Sequence, residues 1–587
     1  MKRFFQLFIL AVLLYSCARV GSPVGGDKDT IAPTFLGSNI DSPRTNVPLN
    51  IHELRLDFDE YVTLKEFQKN FIVSPPIKRI KKVLPANLST KFVSIQWEDT
   101  LQANTTYSFN FGNAIQDNNE GNPLPYFNYA FSTGDKIDSL YVSGEVSNAY
   151  TIKPPSDKAN RVVGLFKDSD SIDYKQKPYY ITKVDTDGYF ELNYLAPGKY
   201  RIIAFDDENG NSVFDAQNES VGFSKDILVL EEAVSGMRIS MYPSKIPFKY
   251  KEMKEMPGGV LMLFEGNPEK VEVHSVNEKL KEFKVTQQPR SDSVRIWFDA
   301  KAQNIGITEN ENLRLGYSAE GKQDTVSLFY RMNEKNEMVI NNDMGAQIPP
   351  RSDLKLTSNY IIDRIEPDKW TLTQDSITVQ SFSARISESN PYEIVISSEF
   401  KEGQKYRLTL PKSSVHSFYE SNAVSKRFDF EGDRIQNYGS FTVRLSNKPE
   451  GNFWVQLLSS EEKIMYSKYT SDAEVKFPIV KPGEYYVRLL SDSNGNNYWD
   501  RADFINGIFA EESYIFYKKV NVRPLWEMVE DWDLKDTRKL NVTAIPANTS
   551  GTERPATDSR TTPPADRNVP VEINKSETRQ QIRPGSR

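Results

Sequence analysis

The sequence predicts an all-β protein, a series of β-sandwich domains, and three observations carry that expectation. Short runs alternate apolar and polar residues with period two, as in Leu54-Arg55-Leu56-Asp57-Phe58, which is the signature of a strand with one buried face. Between such runs recur clusters of Pro, Gly, Asn, Asp and Ser, and the 587 residues include 33 Pro, 30 Gly, 33 Phe and 29 Tyr, a balance that favours strands and tight turns over long helices. Third, one motif occurs twice. Pro197-Gly198-Lys199-Tyr200 leads into Asp207-Glu208-Asn209-Gly210-Asn211-Ser212-Val213-Phe214-Asp215, and Pro482-Gly483-Glu484-Tyr485 leads into Asp492-Ser493-Asn494-Gly495-Asn496-Asn497-Tyr498-Trp499-Asp500, at a constant offset of 285 positions (482 − 197 and 500 − 215). An offset that long, held without a gap, marks duplicated domains and not short solenoid repeats.

Composition narrows the function classes. The formal net charge is −7 and no basic stripe is present, so nothing recruits nucleic acid by counterion release. Cys17 is the single cysteine, which excludes disulfides within the chain and any multi-thiolate metal site.

The first thirty residues read as an address. Lys2 and Arg3 precede an apolar run from Phe4 to Leu14, shorter than the roughly 20 residues a membrane-spanning helix needs, so residues 1–16 are expected to be an export signal. The run ends in Leu14-Tyr15-Ser16-Cys17, which resembles the bacterial lipobox. The resemblance implies that Cys17 is diacylated, that the signal is cut before it, and that the protein attaches to the outer membrane through lipid. Each buried CH₂ contributes about 0.8 kcal/mol, and several acyl chains make such attachment durable. Residues 17–30, rich in Gly, Ser and Pro, read as a flexible tether. No acidic cluster of the kind found in surface-exported Bacteroidetes lipoproteins follows Cys17, so the periplasmic and cell-surface faces both stay open.

Beyond the tether the chain divides by pattern. Residues 31–135 carry Asn104-Thr105-Thr106-Tyr107, then Asp117 with Gly121-Asn122, then Phe131-Ser132-Thr133-Gly134, and this order resembles the SbsA-type bacterial Ig-like domain. Residues 136–245 carry Asp187-Gly188-Tyr189-Phe190-Glu191-Leu192 before the repeated motif and look like a carboxypeptidase-regulatory or transthyretin-like sandwich, in which Tyr200, Ile202 and Ala204 face the core. Such domains are accessory in that family, which implies no peptidase chemistry. After a charged, Gly-rich boundary at Lys251–Gly259, residues 246–343 read as a sandwich of no named family, with strands such as Val260–Phe264 and Val294–Phe298. Residues 344–435 resemble a degenerate second Ig-like domain, and 436–535 the second transthyretin-like copy. From 536 to 587 aromatic residues vanish, and a segment with so little apolar area to bury is expected to be disordered.

No catalytic residue is expected. His52, His274 and His416 are scattered, and no nucleophile–base or H-E-x-x-H arrangement occurs. One constellation suggests a ligand. Asp207, Asn209, Asn211 and Asp215 offer oxygens at alternating positions, and Asp492, Asn494, Asn496 and Asp500 repeat them. The spacing resembles calcium loops of other bacterial surface β-domains and implies a weak Ca²⁺ site, although Gly210 and Gly495 stand at loop position four whereas an EF-hand needs glycine at six and a bidentate Glu at twelve. The alternative is an Asn-Gly turn whose aspartates cap backbone amides. No cofactor is required on either reading. The chain is thus expected to be a non-enzymatic envelope lipoprotein that binds other envelope proteins. A glycan-binding lipoprotein of a polysaccharide-uptake system, stacking sugars on Trp97, Trp370, Trp454 or Trp499, and an accessory subunit of an outer-membrane complex are the alternatives. A hydrolase with an unrecognised site ranks last.

Overall fold

The computed structural model describes residues 29–540, apart from 42, 154–159, 170–171, 334–336, 376, 380 and 539. The expected export signal at 1–16, Cys17 and most of the expected tether lie outside the described residues, as does the segment beyond residue 540. Nearly all the regular structure is strand; among the described residues the only α-helical piece is Phe67–Asn70.

Strand formation follows the alternation. In Glu53–Leu64 the residues Leu54, Leu56, Phe58 and Val62 are buried while Arg55 is exposed, because successive side chains of a strand point to opposite faces. This strand is the centre of a five-stranded sheet, and the three-stranded sheet Ile72–Ser74, Thr106–Gly112 and Phe127–Ser132 packs with it. Both sheets contribute to one core that includes Leu54, Leu56, Trp97, Phe109 and Phe131. Full burial of each large side chain contributes about 1.5–3 kcal/mol.

The two regions that carry the repeated motif share one plan. In the first, Leu140–Asn148 runs parallel to Val234–Pro243; in the second, Gly439–Ser446 runs parallel to Glu527–Asp533. The motif strands Gly198–Asp207 and Gly483–Asp492 pair antiparallel with Asn160–Lys167 and Asn452–Leu458, in registers that set Asn160 against Asp207 and Asn452 against Asp492. The repeated tyrosines share a job as well: Tyr200 donates its hydroxyl to the carbonyl of Ala196 at 2.8 Å, and Tyr485 donates to that of Lys481 at 2.8 Å. Each buried ring thereby closes the turn that Pro-Gly opens. Tyr200, Ile202 and Ala204 lie in the core with Phe190 and Leu192, as the motif predicts. The copies differ in one respect: Ser220–Phe223 pairs with Val234–Pro243 and fuses the first copy into one eight-stranded sheet, whereas the second keeps a three-stranded and a five-stranded sheet.

Two expectations change in the middle of the chain. The charged stretch at Lys251–Gly259 is no linker. Lys249–Met256 is a strand in a hairpin with Gly259–Glu265, turning at Gly258 with φ +80°. Its Lys and Glu residues face outward and only Met253 is fully buried, which is how an edge strand resists pairing with strangers. Likewise Met338 and Ile340, placed before residue 344 by pattern, pack with Leu354, Ile394 and Phe430, and Trp297 reaches into that same core. At the far end, Arg538 stands 3.7 Å over the Tyr517 ring and Leu540 packs beside Ile152 and Leu458. The folded body therefore extends a few residues past 535.

Residues 29–540 belong to one compact unit. One hydrophobic cluster explains how the halves join: it mixes Ile72, Val162, Ile203, Phe205 and Phe214 with Ala502 and Phe504 of the second copy.

Candidate functional site at the paired loops

Each motif strand ends in a buried aspartate that organises the loop after it. Asp207, 2% exposed, accepts the Asn211 amide on Oδ1 (3.1 Å) and the Ser212 amide on Oδ2 (2.9 Å). Asn209 Oδ1 also accepts from the Asn211 amide, and Asn211 Oδ1 accepts from that of Val213. Asp492 does the same for Asn496 and Asn497, each at 3.0 Å, with Asn494 and Asn496 accepting the amides of Asn496 and Tyr498. Gly210 and Gly495 adopt φ +71° and +72°, a left-handed conformation that glycine takes at little cost.

In the first loop Asp207, Asn209 and Asn211 cap backbone amides within the turn while Asp215 Oδ1 accepts the amide of Gln217 at 3.0 Å; in the second, Asp500 joins Asn494 and Asn496. In the second loop, Asn494 and Asn496 also turn their amide nitrogens onto Asp500 Oδ2 (2.7 and 2.8 Å), and Arg290 donates to Asp500 Oδ1 at 2.6 Å. Burial works to raise the Asp500 pKa, yet the hydrogen bonds from Asn494, Arg290 and Asn496 prevail and hold it below the usual value. A guanidinium and two side-chain amides thus satisfy the Asp500 carboxylate. Among the described residues no group of three or more His, Cys, Asp or Glu is arranged to hold a metal ion. Both loops are complete as capped turns.

Sequence reasoning missed a third acid in each loop. Glu219, 3% exposed, accepts the amides of Glu208 (3.2 Å) and Asp215 (2.7 Å). Burial, with the nearby Asp207 and Asp215 charges, pushes its carboxyl up to about 7. Glu511 plays this part in the second copy, accepting the amides of Ser493 (2.6 Å) and Asp500 (3.1 Å). The repeat hides the pairing, since four positions separate Asp215 from Glu219 but eleven separate Asp500 from Glu511. An offset of 285 sets Glu219 against Phe504 instead.

The residues inserted before Glu511 are what the first copy holds. Phe504, 7% exposed, lies 4.5 Å from Tyr174, 5.1 Å from Phe223 and 5.7 Å from Phe214 between ring centroids. Lys245 N–H donates to the Ala502 carbonyl at 2.7 Å. The first copy returns the contact through residues 149–153. Eleven residues, 149–159, separate its first two strands where the second copy has five, 447–451. Tyr150 packs 4.4 Å from Trp499, its ring tilted by 30°, and lies under the Arg488 guanidinium at 4.2 Å, while Arg488 Nη1 donates to the Tyr150 carbonyl. Ser513 Oγ donates to the Ala149 carbonyl, and Glu462 accepts the amides of Ile152 and Lys153. Arg488 is 4% exposed and has no ion-pair partner among the described residues. Gln456 Oε1 takes two of its N–H groups, and burial pulls its pKa down.

The tryptophans fare unequally as sugar platforms. Trp97 and Trp370 are buried, and Trp499 is covered by Tyr150 and Tyr242. Trp454 is half-buried with Tyr469 4.7 Å away. Trp526, absent from the sequence reading, is 57% exposed. Of the three histidines, His416 bonds Glu366 at 3.1 Å.

Fold and loops define a serial β-sandwich protein in which two duplicated modules clasp each other through non-equivalent insertions. Residues 29–133 match the bacterial Ig-like domain family, in agreement with the pattern at 31–135. No curated protein matches the chain. Among solved structures, the S-layer protein rSbsC(31-844) is 10% identical with a TM-score of 0.14, covering 84% of this chain and 67% of that one. The Bacteroides ovatus mixed-linkage glucan utilization locus protein SGBP-B, solved with a mixed-linkage heptasaccharide, is 10% identical with a TM-score of 0.18, covering 66% and 95%. BcpA, the major pilin subunit of Bacillus cereus, is 10% identical with a TM-score of 0.12, covering 68% and 100%. At these scores none of them bears on what this chain does.

Proposed function

We propose that the chain is a non-enzymatic, lipid-anchored scaffold of the bacterial outer membrane, with a signal at 1–16, an acylated Cys17, a tether to residue 30 and a clasped body of β-sandwich domains that binds other envelope proteins. The observation that carries the reading is the reciprocal capture of Phe504 by the first copy and Tyr150 by the second. It makes a stiff spacer from modules that a flexible chain of beads would leave independent. Support for the anchor comes from Leu14-Tyr15-Ser16-Cys17 and the charged, apolar stretch before it.

The test has two parts. Cys17→Ala is expected to abolish incorporation of labelled palmitate and to release the protein from membranes; retained label overturns the anchor. Capture from envelope extract, set beside a glycan array, then tests the binding role. A reproducible protein partner whose capture fails with Phe504→Ala supports the scaffold, whereas sugar binding lost with Trp526→Ala or Trp454→Ala replaces it by the glycan-binding reading, which the exposed Trp526 ring favours.

A further inference from the structure

We propose that the outer edge of the strand Ile464–Thr470 is a docking surface for a second copy of this chain, pairing strand to strand about a two-fold axis at Ser467. The duplication supplies an internal comparison. In the first copy the corresponding edge strand is Tyr180–Lys183, and the registers Gly164 against Ile181 and Gln456 against Ser467 make Ile181 the counterpart of Ser467. Both follow from Asn160 and Asn452, which sit four residues earlier on strands of equal register to the motif.

The first edge is sealed. Ile181 N–H donates to Ser74 Oγ at 3.1 Å, and that hydroxyl donates back to the Ile181 carbonyl at 3.4 Å. Lys183 and Tyr179 complete the seam with Asn70 (3.4 Å) and Gln102 (3.2 Å). These contacts also fix the direction of the free backbone groups, because an antiparallel strand turns both polar groups of alternate residues to the same side.

Among the described residues the second edge has no such cover. Ile464–Thr470 pairs with Asn452–Leu458 and with no other strand among the described residues. By the same alternation Ser467 and Tyr469 turn their N–H and C=O groups outward, as far as the bulge at Met465, and the side chains of Met465 and Tyr469 are 45% and 37% exposed. The regular stretch Tyr466–Thr470 forms a template for a further strand on its open edge, which proteins ordinarily block with short strands, Pro or charge. Here the strand holds one charged residue, Lys468.

Its sequence also fits itself. Laid antiparallel on a second copy about Ser467, the strand sets Ser467 against Ser467, Met465 against Tyr469 twice, and Tyr466 against Lys468 twice. No like charges face each other, and the thioether–aromatic pairs are of the kind that stabilise cross-strand contacts. An isologous interface of this sort closes after two copies and does not propagate into fibres.

The test uses the full chain with Cys17→Ala, so that an added thiol is the only one. This protein is expected to dimerise with concentration across the micromolar range in sedimentation, and Ser467→Cys to form a disulfide-linked dimer where Gln323→Cys, on an exposed strand elsewhere, does not. Met465→Glu/Tyr469→Glu and Met465→Lys/Tyr469→Lys are each expected to be monomeric, and an equimolar mixture to regain the dimer, since the register sets each glutamate against a lysine. A chain that stays monomeric throughout, a dimer insensitive to both double variants, or cross-linking no greater at residue 467 than at 323 overturns the proposal. So does a chain that pairs there only with a strand of another protein.

Discussion

Replacing Phe504 with Ala should loosen the clasp without unfolding either module. The ring is 7% exposed and has three aromatic neighbours with centroids within 5.7 Å. Phe→Ala in a close-packed core costs about 3–5 kcal/mol, and aromatic pairs contribute roughly 0.5–1.5 kcal/mol each beyond the area they bury. The lower end, about 3 kcal/mol, applies because Phe504 sits in a loop that can relax around the cavity. That loss falls on docking of the loop: the modules keep separate cores around Tyr200 and Tyr485. At about 1.4 kcal/mol per factor of ten, the opening equilibrium of the clasp rises roughly a hundredfold. Hydrogen exchange is the suitable assay, because a chain with several cores has no single unfolding free energy. The amide of Lys245, which donates to Ala502, and the amides of Ile152 and Lys153, held by Glu462, should lose protection in Phe504→Ala. Core strands such as Gly198–Asp207 and Gly483–Asp492 should not. Protection of these three amides unchanged to within a few-fold would refute the clasp as an energetic unit.

Two further outcomes follow from the loops. The Glu219 carboxyl, raised from an ordinary 4.5 to about 7 by burial and by Asp207 and Asp215, binds its proton more tightly in the folded state, so its contribution to stability is fully present below pH 4.5 and is lost as pH rises through 7. Melting temperature should therefore fall between pH 5 and pH 8 by more in the wild type than in Glu219→Gln, and equal slopes would exclude the effect. Asp207→Ala removes a carboxylate that accepts two amides; at roughly 1.5–3 kcal/mol for a hydrogen bond to a charged group, the local cost should be at least that of one bond. As the loops are complete turns, this loss should be the same with and without millimolar CaCl₂, and titration of the chain should give no heat that the Asp207→Ala/Asp215→Ala variant lacks. A Ca²⁺-dependent rise in melting temperature, absent from that variant, would establish the loops as metal sites instead.

The sequence by itself determined the all-β class, the Ig-like pattern matched at 29–133, and the duplication, because period-two burial, Pro-Gly turns and Asn-Gly loops are written in neighbouring residues. It also located both loops and the core positions of Tyr200, Ile202 and Ala204. Local pattern misled where charge looked like a boundary, since an edge strand such as Lys249–Met256 needs only one face to be apolar. Tertiary structure alone decided the rest. Glu219 and Glu511 occupy equivalent places only in space, because the inserted residues shift one against the other along the chain. That Phe504 is buried in the opposite copy, that Tyr150 lies between Arg488 and Trp499, and that one edge strand is covered while its duplicate is open depend on residues far apart in the chain, Tyr150 and Trp499 being separated by 349 positions (499 − 150). A repeat records common ancestry of two modules. The insertions that break the repeat decide how those modules pack, and their partners are chosen by shape and hydrogen bonding across a gap that no sequence spacing encodes.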